Sequence, residues 1–396
     1  MAVVEADPAE PTEPAEPATG PDPSTRPAGR WWSLPGAWYP VVVFAVWRVA
    51  QGTVTWWLGG RLVESAYTYD GAHYLRILHN GYWHPRPSMP SHAFFPGLAW
   101  LATPVRWLTG SDAVTVHVTA TVTAVAAFIA VWGVTKAWTD ERTARLAVLL
   151  FALFPSSLFL WAFYSEALFI ALGAGAVWAD RRGKRWLAAL CFAGIATTRS
   201  VGIVVPAVIV LARIIRQRRV DRWAVTYALS GLAGLGAVLL TMHVQVGNAF
   251  AFLGVQKDWG REVSWPWASV VQGIDNLTPK YGTVMVPALV ARNLDLWAVG
   301  IVLIGIVYLV VSRRPRFPME AWMLGVAMIA LALCSSVLAS FNRFVLADWV
   351  IFPAYASLLF RLPKWWRLAA TVAVAVACVL TAYALIGRFS VGRFIG

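Results

Sequence analysis

Charge is scarce in this chain. Only 13% of its 396 residues are Asp, Glu, Lys or Arg, about half the share of a water-soluble globular protein. That shortage excludes an ordinary solvated surface wrapped around one core. Cysteine is scarcer still. Cys191, Cys334 and Cys378 are the three present, each inside an apolar run. They read as small buried residues, so neither a disulfide framework nor a metal pattern is expected. Acidic residues are outnumbered, 20 against 33 Lys and Arg, for a formal charge of +13. The Arg clusters fall between apolar runs, as cytoplasmic loops do, so the excess does not call for nucleic acid.

What is abundant is apolar. Hydrophobic residues make up 59% of the chain and Trp alone counts 23. Several uncharged runs approach or exceed the roughly 20 residues that cross a bilayer as a helix, and Trp suits the interfacial belts of such proteins. The composition predicts an all-α polytopic membrane protein with about 11 transmembrane helices.

Residues 1–30 form a Pro/Ala/Glu tract with Glu5, Asp7, Glu10, Glu13, Glu16 and Asp22. It has little to bury and is expected to be a disordered cytoplasmic tail ahead of a membrane domain over 31–396. The tract lacks the basic start and apolar core of a cleavable signal, so the first helix is expected to serve as the insertion signal. Spans are expected near 38–58, 112–137, 144–160, 166–179, 223–244, 294–311, 319–339 and 368–387, with a further one returning to Arg361. Two short runs, 186–198 and 201–212, read as a hairpin tipped by Arg199. The dense Arg clusters at 181–185, 213–222 and 313–316 then all face the cytoplasm. Arg48, near the middle of the first span, needs a partner or a wet cavity.

The loop after the first span holds YDGAHYLRILHNGY, Tyr69 to Tyr82. Tyr74, Leu75 and Leu78 make an apolar stripe, and Asn80-Gly81 reads as a helix stop. The local expectation is a short amphipathic helix on the membrane surface with Asp70 at its N-terminal edge. Asp70 reads either as a helix cap or as a general base. The same topology gathers His73, Tyr164, Glu166, Arg199, Gln256, Trp259, Arg261 and Arg343 on the outer side. Taken singly, these residues cap helices or anchor to headgroups. Taken together, a carboxylate beside cations is what transfer from a lipid-phosphate donor needs. The base takes the acceptor's proton and the cations stabilise the departing phosphate.

These stretches carry a resemblance. YDGAHYLRILHNGY, HAFFPGLAWL, FPSSLFLWAFYSEALF, RRGKRWLAALCFAGIATTRSVGIV and QKDWGR before SWPW follow, in order, the pattern of the PIG-V-like mannosyltransferases. That family belongs to the GT-C class of polytopic glycosyltransferases. Tyr69 stands where the family often has Trp before the acid. The resemblance implies an inverting transfer, typically of mannose, from a polyprenyl-phosphate donor to a glycolipid or glycan acceptor at the extracytoplasmic face. From the residues themselves no cofactor and no metal ligand set is expected. The resemblance also implies Asp70 as base, Arg199 and Arg343 on the donor phosphate, and Tyr164 and Glu166 shaping the sugar pocket. Gln256, Trp259 and Arg261 belong to a loop closing over the reactants, and His73 orients Asp70 or sits at headgroup level. A bacterial plasma membrane is the expected location, or the endoplasmic reticulum in a eukaryote. Two rival readings stand beside it. One is a transporter or flippase, since short paired segments resemble broken transporter helices; the other is an inactive relative acting as a subunit.

Overall fold

The computed structural model describes residues 36, 38–58, 66, 68–83, 90–259, 261–275, 294–338 and 340–390, except the side chains of Trp259 and of residues 388–390. The acidic tail at 1–30 lies outside the described residues.

Among the described residues the regular structure is helical apart from one isolated antiparallel bridge, Val263 to Ser335. In chain order the helices are α1 (Tyr39–Trp57), α2 (Asp70–Asn80), α3 (Gly97–Thr109), α4 (Asp112–Trp138) and α5 (Glu141–Leu153). Then come α6 (Ser165–Arg181), α7 (Arg185–Ala196), α8 (Val204–Gln217), α9 (Arg222–Val246) and α10 (Pro266–Asp275). The remainder are α11 (Leu294–Val311), α12 (Met319–Leu333), α13 (Phe341–Ala347), α14 (Ile351–Phe360) and α15 (Lys364–Ser390).

Five of these segments are long and apolar enough to cross a membrane: Asp112–Trp138, Ser200–Gln217, Arg222–Val246, Leu294–Val311 and Lys364–Gly387. The bent pair α13 and α14, turned by 76°, makes a sixth if it is one broken span. The chain is therefore a multi-pass integral membrane protein, but eleven long crossings are not shown. α7 and α12 are apolar yet shorter than a crossing helix.

Local chemistry explains where the boundaries differ from the sequence expectation. The span read as 144–160 stops at Leu153, because Pro155 has no N–H to give and pushes the residue before it out of the helical region. Phe154 accordingly takes ψ 134° and a 3-10 turn, Pro155–Leu160, follows. The span read as 319–339 ends at Leu333, where the chain leaves the helix to pair with residues 262–264. Between the spans read as 223–244 and 294–311 the chain forms a further helix, α10.

Two glycines set how closely the site-bearing helices approach. A Cβ on Gly97, at the start of α3, would lie 2.3 Å from Thr197 Oγ1, and the Gly97 N–H donates to the Thr197 carbonyl at 2.9 Å. A Cβ on Gly202 would lie 2.1 Å from the Ile195 carbonyl oxygen. Only glycine lets α3 and the α7–α8 turn close around Arg199 in this way. Arg48 finds an aromatic partner, its guanidinium lying 4.9 Å from the Trp161 ring centroid.

Candidate active site

α2 begins at Asp70, directly after Tyr69, which holds φ 51° and ψ −115°. α13 begins after Ser340, at φ 64°. Tyr69, Ser340 and Arg218 are the non-glycine residues with positive φ among those described, so two of the three stand at the entrances of helices bearing Asp70 and Arg343. Such backbone costs on the order of 1–3 kcal/mol and persists where surrounding structure over-determines it. At Ser340 the constraint is visible. Asp295 Oδ2 accepts from the Ser340 N–H at 3.1 Å, and its Oδ1 accepts from the Asn342 N–H at 2.7 Å and from Asn342 Nδ2 at 2.6 Å. Ser156 then donates to Asn342 Oδ1 at 2.5 Å, tying α13 to the turn after α5.

Arg343, so positioned, is the hub. Its Nη2 lies 2.7 Å from Asp70 Oδ2 and 2.5 Å from Glu166 Oε1, and its Nε donates to the same Glu166 oxygen at 2.9 Å. Its guanidinium also lies over two rings, 4.7 Å from Phe159 and 4.8 Å from Tyr164. Glu166 is fully buried, and Arg199 Nη1 stands 3.3 Å from its Oε1. Arg199 and Arg261 both lie against Phe344, at 5.3 and 5.5 Å.

These groups border a cavity of about 310 Å³. Asp70, Arg199, Gln256, Arg261 and Arg343 line it, five of the nine residues singled out from sequence. Glu166 lies behind Arg343, out of the lining. Tyr164 also stands back. It donates to the Thr68 carbonyl at 3.2 Å, and burial raises its phenol well above the ordinary value. His73 is buried away from the lining, its Nδ1 3.1 Å from Ser91 Oγ and its ring stacked 4.6 Å from Phe94. Trp259 closes a 3-10 turn, Lys257–Trp259, and its side chain lies outside the described residues. Burial lowers the Arg261 pKa, and the neighbouring Arg343 and Arg199 charges add to this while Asp70 opposes it. A group in that position gains from an incoming anion.

Sequence reasoning missed Tyr74, Asp295 and Asn342. Tyr74 lines the cavity beside Asp70, and burial raises its phenol, keeping it a neutral donor. It had been read as part of the apolar stripe of α2. Asp295 had a visible signal, an acid at the first turn of an otherwise uncharged run. Among the described residues no group of His, Cys, Asp and Glu could hold a metal ion.

Residues 51–218 match the family model of the mannosyltransferase (PIG-V). The resemblance read from the sequence thus holds over a stretch that contains Asp70, Glu166 and Arg199; Arg261 and Arg343 lie beyond it. Among solved structures, the chain is similar to ArnT from Cupriavidus metallidurans bound to undecaprenyl phosphate. The identity is 14% and the TM-score 0.54, over 91% of this chain and 78% of that one. It is also similar to the apo oligosaccharyltransferase of Archaeoglobus fulgidus, at 13% identity and TM-score 0.51, over 92% of this chain and 57% of that one. A third likeness, at 14% identity and TM-score 0.50, is to AglB from the same organism in complex with an inhibitory peptide and a dolichol-phosphate. The chain spans a little over half the length of the archaeal enzyme. At these identities the likeness is one of fold, and the PIG-V stretch lies within a GT-C-like fold. No curated protein matches the chain.

Proposed function

We propose that the protein is an inverting glycosyltransferase. It moves mannose from a polyprenyl-phosphate donor to a lipid-linked or glycan acceptor at the extracytoplasmic face of the membrane. The observation that carries this reading is the cluster of Asp70, Glu166, Arg199, Arg261 and Arg343 gathered at one cavity, in a chain whose residues 51–218 match the PIG-V family. Asp70 is the base that takes the acceptor's proton. Arg199 and Arg261, on the cavity wall at Phe344, take the donor phosphate, with Arg343 beside them. Gln256 and Arg261 belong to the segment that covers the reactants, and Tyr164 and Glu166 fix the sugar side from behind. The remaining expected crossings are made by the shorter helices, which places the dense Arg clusters in the cytoplasm. That the charges gather at one cavity supports the transferase over a transporter or flippase.

The test is direct. Purified protein incubated with radiolabelled polyprenyl-phosphate-mannose and a membrane lipid extract is expected to release polyprenyl phosphate and label a new glycolipid or glycan. Release of label in neither form, with folded protein present, defeats the reading.

A further inference from the structure

The inference concerns Arg343 and Glu166 and rests on the transferase reading above. Arg343 is held before any substrate arrives, its Nη2 shared between Asp70 at 2.7 Å and Glu166 at 2.5 Å and its Nε donating to Glu166 at 2.9 Å. A cation committed to the base looks wasted if its task is only to hold phosphate. The charge changes along the reaction resolve this. The acceptor oxygen bonds to the sugar C1 and the C1–O bond to phosphate breaks, its electron pair passing to the phosphate oxygen. The acceptor's proton goes to Asp70. The carboxylate therefore loses its negative charge while the phosphate, a monoanionic diester, becomes a monoester carrying nearly two charges.

We propose that Arg343 serves both halves of the reaction, pairing with Asp70 before transfer and with the leaving phosphate after it, with Glu166 as the positioning residue that holds it between them. Glu166 suits that part. It is fully buried, it belongs to α6, its Oε1 also faces Arg199 at 3.3 Å, and it accepts from Arg343 Nε as well as Nη2, so the Nε contact can stay when Nη2 leaves Asp70. The Phe159 and Tyr164 rings lie under the guanidinium. A flat cation can turn over such a surface and keep its contact with it. Arg343 already lines the cavity, where a bound phosphate would meet it.

The experiment uses the purified full chain and two probes, a short polyprenyl phosphate and its methyl diester, measured by equilibrium binding. Asp70→Asn copies the neutral Asp70 of the product state. It is expected to bind the monoester about tenfold more tightly than wild type, the low end of what a close charge pair is worth, and to change little toward the diester. Unchanged or weaker monoester binding in a folded Asp70→Asn protein overturns the proposal. If the wild type binds neither probe, it is the transferase reading that fails. A second measurement needs no variant. Carbodiimide labelling of Asp70 in the wild type, followed by mass spectrometry, should rise several-fold with saturating monoester and not with diester. Equal labelling with both probes likewise overturns the exchange.

Discussion

At its N-terminal end α6 presents Glu166 to Arg199 and Arg343. At its C-terminal end, about 21 Å along the helix axis, it presents Asp180 and Arg181 to a second group of charges. There Tyr227 donates to Asp180 at 2.5 Å, and Arg213 lies 3.6 Å from Asp180 and 2.6 Å from Asp221. Arg181 and Arg216 pair with Glu320. The second group mixes one local pair with distant ones, Arg181 and Glu320 standing 139 residues apart. Arg213 and Asp221 are eight residues apart, and Asp221 also caps α9 by accepting from the Ala224 N–H. The first group joins residues up to 273 apart and borders a cavity. Both groups draw on distant segments; what separates them is the cavity, which none of Asp180, Arg181, Arg213, Arg216, Asp221 and Glu320 lines. Charges beside that space are placed to meet something that enters it.

Four substitutions separate the two ends of α6. The largest expected effect is on turnover. Asp70→Asn keeps the size and an acceptor oxygen for Arg343 but cannot take a proton at neutral pH, so kcat at saturating substrates should fall about 10²–10⁴-fold with Tm near wild type. Turnover within a few-fold of wild type would reduce Asp70 to a structural member, like Asp180. Next is Arg213→Ala at the other end of α6. It leaves the partly exposed Asp221 carboxylate without its ion pair and should lower stability by about 1–3 kcal/mol, read as a drop in Tm, while turnover per folded molecule stays within a few-fold. The Arg213 bond holds the Asp221 carboxyl well below the usual carboxylate range. Because its folded pKa is depressed, its stabilisation is full above about pH 4 and is lost only as pH falls through the folded value. Asp221→Asn should remove that acid-range loss along with the stabilisation. The smallest effect is for Arg199→Lys. Lys cannot reproduce the planar fork, so affinity for a short polyprenyl phosphate should drop about tenfold with the fold intact. Equal affinity would make Arg199 only a partner of Glu166.

Much of this was legible in the sequence for physical reasons. The stripe and stop of Tyr69–Tyr82 gave α2 closely, because apolar spacing and Asn80-Gly81 act over a few residues. Asp70, Arg199 and Arg343 stood out because isolated charge is rare in so apolar a chain. What was not legible depends on partners far away in sequence. Nothing local to Glu166 says it will hold both Arg199 and Arg343, 177 residues beyond it in the second case. Nothing local to His73 says that it will turn to Ser91. Asp295 capping α13 across a gap of 47 residues is of the same kind. The helix ends near 155 and 333 divide along this line. Pro155 was a local signal that a long apolar run concealed, whereas the end of α12 is set by pairing with residues 262–264, some 70 positions earlier.

That pairing has a kinetic side. The Ser264 N–H donates to the Cys334 carbonyl at 2.9 Å, the Ser336 N–H to the Glu262 carbonyl at 2.8 Å, and the Glu262 N–H to Ser336 Oγ at 3.0 Å. Glu262, Val263, Cys334 and Ser335 all line the cavity. This stretch of wall is therefore closed by three hydrogen bonds in place of packed helices. At a net worth near 1 kcal/mol each, parting it costs on the order of 3 kcal/mol, so roughly one molecule in a hundred stands open at any moment while the bundle stays folded. Amide exchange should show it, with Ser264 and Ser336 exchanging far ahead of the α4 interior. If the cavity takes a polyprenyl phosphate as proposed, an open fraction of that size sets a waiting time for the bulky isoprenoid, and release of the spent carrier then competes with the bond-making step for control of the overall rate.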